Sequence, residues 1–131
     1  MKYLKCKFLS LYKELITIPK MKNSVFISGR VSGITYKRAK LNFDNCEKWF
    51  TNRGLYVVNP TKICKKEWSW LHCMVVCIYH LVRCEYVCFL SNYKESRGSR
   101  IEYLFAKLFK KKISFFNCYK TKGDNICVSQ F

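Results

Sequence analysis

Apolar residues fall into short runs that alternate with amphipathic stretches along most of the chain. Residues 3–17 place Leu4, Phe8, Leu11, Tyr12 and Leu15 along one side of a helix, and Pro19 ends it. "SVFIS" (24–28) reads as a first buried strand, followed by the loop "GRVSG" (29–33). A helix is predicted over 36–53 from Ala39, Leu41, Phe43, Cys46, Trp49 and Phe50, with Gly54 as its C-terminal stop. "LYVV" (55–58) is a second strand, closed by Asn59 and Pro60, and "KEWSW" (66–70) leads into a helix over 70–82. "CEYVCFL" (84–90) is the third strand. A helix over 98–110 follows, with Ile101, Leu104, Phe105 and Leu108 on one face, then a fourth strand, "KISFF" (112–116). The tail holds a candidate edge strand near Ile126–Val128.

This alternation predicts an α/β fold. Continuous apolar strands joined by helices belong to a parallel sheet covered on both faces. The domain is expected over 23–117, with a helical extension at 1–22 and a tail at 118–131. Right-handed crossovers bring every strand-to-helix loop to one edge, and ligands bind there, beside the point where strand order reverses. The candidate ligand loops are therefore Ser28–Gly33, Asn59–Pro60 and Ser91–Gly98.

Charge adds a partner class. The chain carries 25 Lys+Arg against 8 Asp+Glu, a formal net charge of +17. Such a field favours anionic partners, whether phosphates, nucleotides, nucleic acid or acidic membranes. Nucleic acid ranks last, because no recognition helix or RNA-binding aromatic motif accompanies the charge. No apolar run approaches the roughly 20 residues of a membrane span, and Lys5, Lys7 and Lys13 interrupt any secretory core. Nine cysteines without a Cys-x-x-Cys pair suggest reduced thiols and a cytoplasmic location.

Several constellations could carry chemistry. Gly29 and Gly33 would let backbone N–H groups approach an anion, or would merely make a tight turn. Ser96, Gly98 and Ser99 open a helix whose N–H groups favour an anion, with Arg97 and Arg100 adding charge. Ser99 and Glu102 also fit the S-x-x-E capping box, so on local sequence Glu102 reads first as a cap. Trp68, Trp70 and Tyr93 could wall a base or pack in the core. Cys73, Cys77, His80 and Cys84 recur at helix-like spacings of four, three and four. That pattern would suit a metal. But Cys84 falls in the third strand, and free Cys commonly behaves as a small buried hydrophobe, so no metal is assigned.

"VFISGRVSG", "NFDNCEKWFTNRGLYVVNP", "WSW", "CEYVCFL" and "ESRGSRIEYLFAK" occur in this order. The set resembles the small phage and bacterial domains related to nucleoside 2-deoxyribosyltransferases, long catalogued as a domain of unknown function. The resemblance covers about residues 24–116. It implies a single Rossmann-like domain with a mostly parallel sheet of four to five strands, assembled as a homodimer or homotetramer, with no cofactor. It also implies two functions. In the transferases, the glutamate matching Glu102 attacks the anomeric carbon of a nucleoside. In related phage proteins, including the second type of Thoeris anti-defence protein, the domain binds a cyclic ADP-ribose signal and holds it uncleaved.

Departures from the family pattern favour the second function. Relatives often carry an aspartate in the helix before the third strand, where this chain has Cys77, and a Cys-Asp at that strand's start, which here reads Cys84-Glu85. Arg30 stands where relatives often have proline. Losing an acid and gaining an arginine moves a pocket from ribosyl chemistry towards phosphate binding. The expectation is a phage-type sponge, with a transferase or nucleotide N-glycosidase using Glu102 as the alternative. Arg30, Arg97 and the helix N-terminus would meet the pyrophosphate; Trp68, Trp70 or Tyr93 would stack on adenine; Asn92 and Glu102 would accept ribose hydroxyls. Ser28, Gly29, Gly33, Asn59, Ser96 and Gly98 complete the expected binding set. A cyclic dinucleotide at a subunit interface is a further expectation.

Overall fold

The computed structural model describes residues 2–121 and 124–130, without the side chains of Leu4, Phe8 and residues 118–131. The elements run α1 (Lys2–Ile16), β1 (Met21–Ser28), α2 (Tyr36–Thr51), β2 (Tyr56–Val58), α3 (Pro60–Ile63), α4 (Trp70–Arg83), β3 (Cys84–Leu90), α5 (Arg97–Leu108), β4 (Lys112–Thr121) and β5 (Asp124–Gln130). The sheet order is β2-β1-β3-β4-β5. The first four strands are parallel, and β5 pairs antiparallel with β4 at the edge. The expected α/β fold with a mostly parallel sheet is what forms, and the expected tail strand is β5.

Strand side chains alternate between faces. Val25 and Ile27 of β1, with Cys88 and Leu90 of β3, pack under Phe43, Cys46 and Phe50 of α2. Phe26 of β1, with Val87 and Phe89 of β3, meets Leu81 and Val82 of α4 and Ala106 of α5 on the other face. Both faces are therefore dry, which is why these strands read as unbroken apolar runs. α2 is N-capped by Thr35, whose hydroxyl accepts from the Arg38 N–H. Past its end, Gly54 sits at φ +80°, a conformation an L side chain resists.

α1 docks on the α4–α5 side. Tyr12 lies 5.4 Å from the Phe109 ring, and Leu15 is half-buried against the same cluster. Leu11, expected on the docking face, is 53% exposed; Leu4 and Phe8 of that face lie outside the described side chains.

Several boundaries differ from the sequence reading, most by one or two residues. β1 begins three residues earlier, at Met21, with an irregularity before Val25 where Asn23 takes φ 54°. β4 continues to Thr121 because β5 pairs along its whole length. Asn59-Pro60 starts the short helix α3 instead of simply closing a strand.

Chain order reverses between β1 and β3: β1 leads to β2 on one side, and β3 lies on the other. Ser28 pairs in register with Phe89, so the loops after these two strands open side by side.

Candidate functional site

A cavity of about 580 Å³ opens beside that switch point. This lies within the range of ligand sites. Gly29, Val31 and Ser32 come from the loop after β1, Thr61 and Cys64 from α3 and its end, Lys65, Lys66 and Trp68 from the next loop. α4 contributes Trp70, Cys73, Met74 and Cys77, and the start of α5 contributes Ser96, Gly98 and Glu102.

Glu102 forms part of the floor. It is buried at 6% exposure, and its Oε2 has no hydrogen-bond partner among the described residues. Burial pushes the carboxyl up to about 8; the neighbouring Cys64 thiolate adds to the rise, and the Ser28 hydroxyl opposes it. Ser99 Oγ is likewise buried without a partner among the described residues, while the buried Ser28 Oγ has only the Glu102 carboxyl beside it, short of good hydrogen-bond geometry. Glu102 is not a cap, contrary to the capping-box reading. α5 begins one turn earlier than Ser99 implies, and Ser96 is its N-cap, accepting the Ser99 N–H at 3.2 Å. Glu102 therefore falls in the second turn and points inward.

Beside it lies a thiol cluster. Cys64 Sγ and Cys77 Sγ are 3.7 Å apart. Hydrogen bonding from Cys77 draws the Cys64 thiol down to about 6, against burial and with help from Cys73. The Cys77 thiol is pushed up, first by that same bond and then by burial. Cys73 rises to about 11, chiefly through burial. Of the three thiols, Cys64 is thus the one whose ionisation is favoured. Among the described residues, no three His, Cys, Asp or Glu side chains are arranged to hold a metal ion.

The walls are aromatic and the rim is basic. Trp68 stacks on His72 at 4.1 Å, and the Arg97 guanidinium sits 5.1 Å from the Trp70 ring. Lys66 lies 4.9 Å over the Tyr36 ring. Gly98 lets α5 approach α4 closely, since a Cβ there would stand 3.1 Å from Met74 Sδ and the Met74 side chain would have to give way. At Gly29 a Cβ would meet Leu90 Cδ1 at 2.5 Å, so packing alone requires glycine.

The structure brings together Gly29, Trp68, Trp70, Ser96, Gly98 and Glu102, with Ser28 beneath and Arg97 on Trp70. Arg30, Asn92 and Glu95 instead line a second cleft of about 610 Å³ with Arg38 and Asn42. There Arg30 pairs with Glu95 at 2.9 Å and donates to the Ser32 carbonyl, while its backbone N–H donates to Asn92 Oδ1. Gly33, at φ +80°, shapes that turn against the Arg30 side chain. Asn59 is buried and fully used: Oδ1 accepts from Thr61, and Nδ2 donates to Asp44 and Glu47. Tyr93 packs among Phe89, Tyr103 and Phe115. Glu85, at the opposite end of β3, bonds the Asn23 N–H and Lys112.

Sequence reasoning did not place Tyr36, Cys64, Lys65, Lys66, Cys73 or Met74 in the site. The Lys65-Lys66 pair just before Trp68 was the available signal. Cys77, noted as replacing an acid, does line the cavity.

The domain-of-unknown-function family DUF4406 matches residues 23–115, and the chain belongs to it. No curated protein and no solved structure matches significantly. The matched segment ends within β4, so α1 and the β4–β5 hairpin largely extend the family domain. Among the described residues, no helix is long and apolar enough to cross a membrane.

Proposed function

We propose that this chain is a nucleotide-binding protein that takes up a cyclic ADP-ribose signal and holds it uncleaved, the role of a sponge in phage anti-defence. The observation that carries the reading is the state of Glu102. A ribosyl nucleophile must be a carboxylate, and burial in the cavity floor disfavours that form of Glu102, raising the carboxyl to about 8. As a neutral acid it can donate to a ribose oxygen. It is also the sole carboxyl among the described lining residues. No second carboxyl among the described lining residues stands ready to protonate a departing base, and Cys77 occupies the position where the resemblance implies one.

The remaining lining suits the same ligand. Trp68 and Trp70 offer faces for adenine, a stacking contact worth about 1–3 kcal/mol per base. Lys65 and Lys66 at the rim take the pyrophosphate in place of Arg30, whose charge is matched by Glu95. The reading also carries a homo-oligomer. Leu71, Val75 and Tyr79 recur every fourth residue on α4 and are 66%, 63% and 44% exposed, an apolar stripe suited to a second copy.

Titration calorimetry with cyclic ADP-ribose, with adenosine and AMP as comparators, tests the reading. The expected result is saturable binding of the cyclic ligand, weakened strongly by Trp70→Ala. Binding of all three with equal affinity, or of none, would overturn it. The transferase alternative draws on the same carboxyl, and it would gain if a nucleoside were split by the wild type and spared by Glu102→Gln.

A further inference from the structure

Cys64 and Cys77 are thirteen residues apart in the chain, yet their sulfurs are 3.7 Å apart at the wall of the cavity. Cys64 follows the four-residue helix α3 as its C-cap, with extended backbone, so it leads into a loop. Cys77 is fixed on α4. A disulfide needs sulfurs about 2 Å apart, with Cβ atoms close enough to allow it. The sulfurs are already in van der Waals contact, and Cys64 lies outside any regular element, where the backbone can adjust. We propose that Cys64 and Cys77 form a peroxide-sensitive thiol pair, whose oxidation to a disulfide remodels the wall of the cavity.

The chemistry has its parts in place. A thiolate is the attacking form, and Cys64, the less buried of the two and in contact with the Cys77 sulfur, is the thiol whose ionisation the cluster favours. Cys64 attacks hydrogen peroxide: an S–O bond forms, the O–O bond breaks, and the departing hydroxide takes up a proton as water. The sulfenic acid left on Cys64 faces Cys77. Attack by Cys77 forms the S–S bond, breaks the S–O bond and releases a second water, which carries away the Cys77 proton. Two thiols lose two electrons, and one peroxide is reduced to two waters.

The bridge would have two consequences at the cavity. It removes the thiolate charge beside Glu102. It also ties the loop bearing Lys65, Lys66 and Trp68 to α4. A second sulfur pair, Cys46 and Cys88, lies 3.9 Å apart but is wholly buried, away from oxidant. The exposure of the first pair to the cavity is what distinguishes it.

The test needs no ligand, so its outcome is separate from that of the nucleotide reading. The full-length wild type is treated with hydrogen peroxide, alkylated under denaturing conditions, digested without reduction and mapped by mass spectrometry. The expected product joins the Cys64 and Cys77 peptides. It returns to free thiols with dithiothreitol and persists in Cys73→Ser. Alkylation of both residues after peroxide, a Cys64–Cys73 linkage instead, or sulfinic acid on Cys64 with Cys77 still alkylated would each overturn the proposal.

Discussion

Replacing Glu102 with glutamine should make the protein more stable at alkaline pH. The carboxyl holds its proton in the folded state until about pH 8, whereas the unfolded chain releases it near 4.5. Between those values the folded state binds the extra proton, so this group's contribution falls as pH rises. Each pH unit across the window costs about 1.4 kcal/mol. The loss is therefore about 3 kcal/mol at pH 7 and about 5 kcal/mol above pH 8. Glu102→Gln keeps the shape and removes the titration. Its amide leaves buried donors to satisfy, at a cost of about 1–3 kcal/mol. Urea unfolding of both proteins at pH 5, 6, 7 and 8 reads the difference. The variant should match or trail the wild type at pH 5 and overtake it by pH 8. Cys64, drawn down to about 6, pulls stability the opposite way above pH 6, and comparing two proteins that both carry it largely cancels that effect. Parallel pH profiles, with the variant below the wild type throughout, would refute a protonated Glu102. The cost also suggests a purpose, since burying an acid beside a cavity is the sort of stability loss a functional site sustains.

Other substitutions separate packing from binding. Asn59→Ala removes the α3 cap and two part-buried bonds to carboxylates, so thermal unfolding should show a loss of about 2 kcal/mol. Gly29→Ala sets a Cβ against Leu90 and should cost about 1–3 kcal/mol, with less added cost in a Leu90→Ala background, as a double-mutant cycle would register. Arg30→Ala breaks an exposed pair with Glu95, worth under about 1 kcal/mol, and should leave ligand affinity unchanged by calorimetry. Lys65→Glu with Lys66→Glu should weaken uptake of a phosphate-bearing ligand by roughly tenfold or more, with the wild-type affinity falling as salt is added.

The fold was legible because its physics is local. β3 spans Cys84–Leu90 as predicted, since an apolar run between a capped helix and a polar turn has one comfortable conformation. The loops after β1 and β3 were placed at the ligand edge by topology alone. Distinctions within those loops were not legible. Ser99 with Glu102 matches the capping-box pattern and Ser96 does not, yet the helix starts at Arg97, so Ser96 is the cap. Tyr93 sits between polar residues in sequence but turns towards Phe89 and Phe115. Asn59 occupies a strand end, where ligand contacts are expected, yet α3 and α2 use all its hydrogen-bonding capacity. Cys64 had no spacing signal at all; it meets Cys77 across the chain, from the end of α3 to the middle of α4.

The central claim is capture without cleavage. Purified protein in excess would be mixed with a cyclic ADP-ribose isomer, the free ligand measured after filtration, and the retained fraction heated and separated by chromatography. The account predicts that the ligand disappears from the filtrate and returns intact on heating. Ligand that returns as a hydrolysed or base-free product would contradict it and make Glu102 a nucleophile.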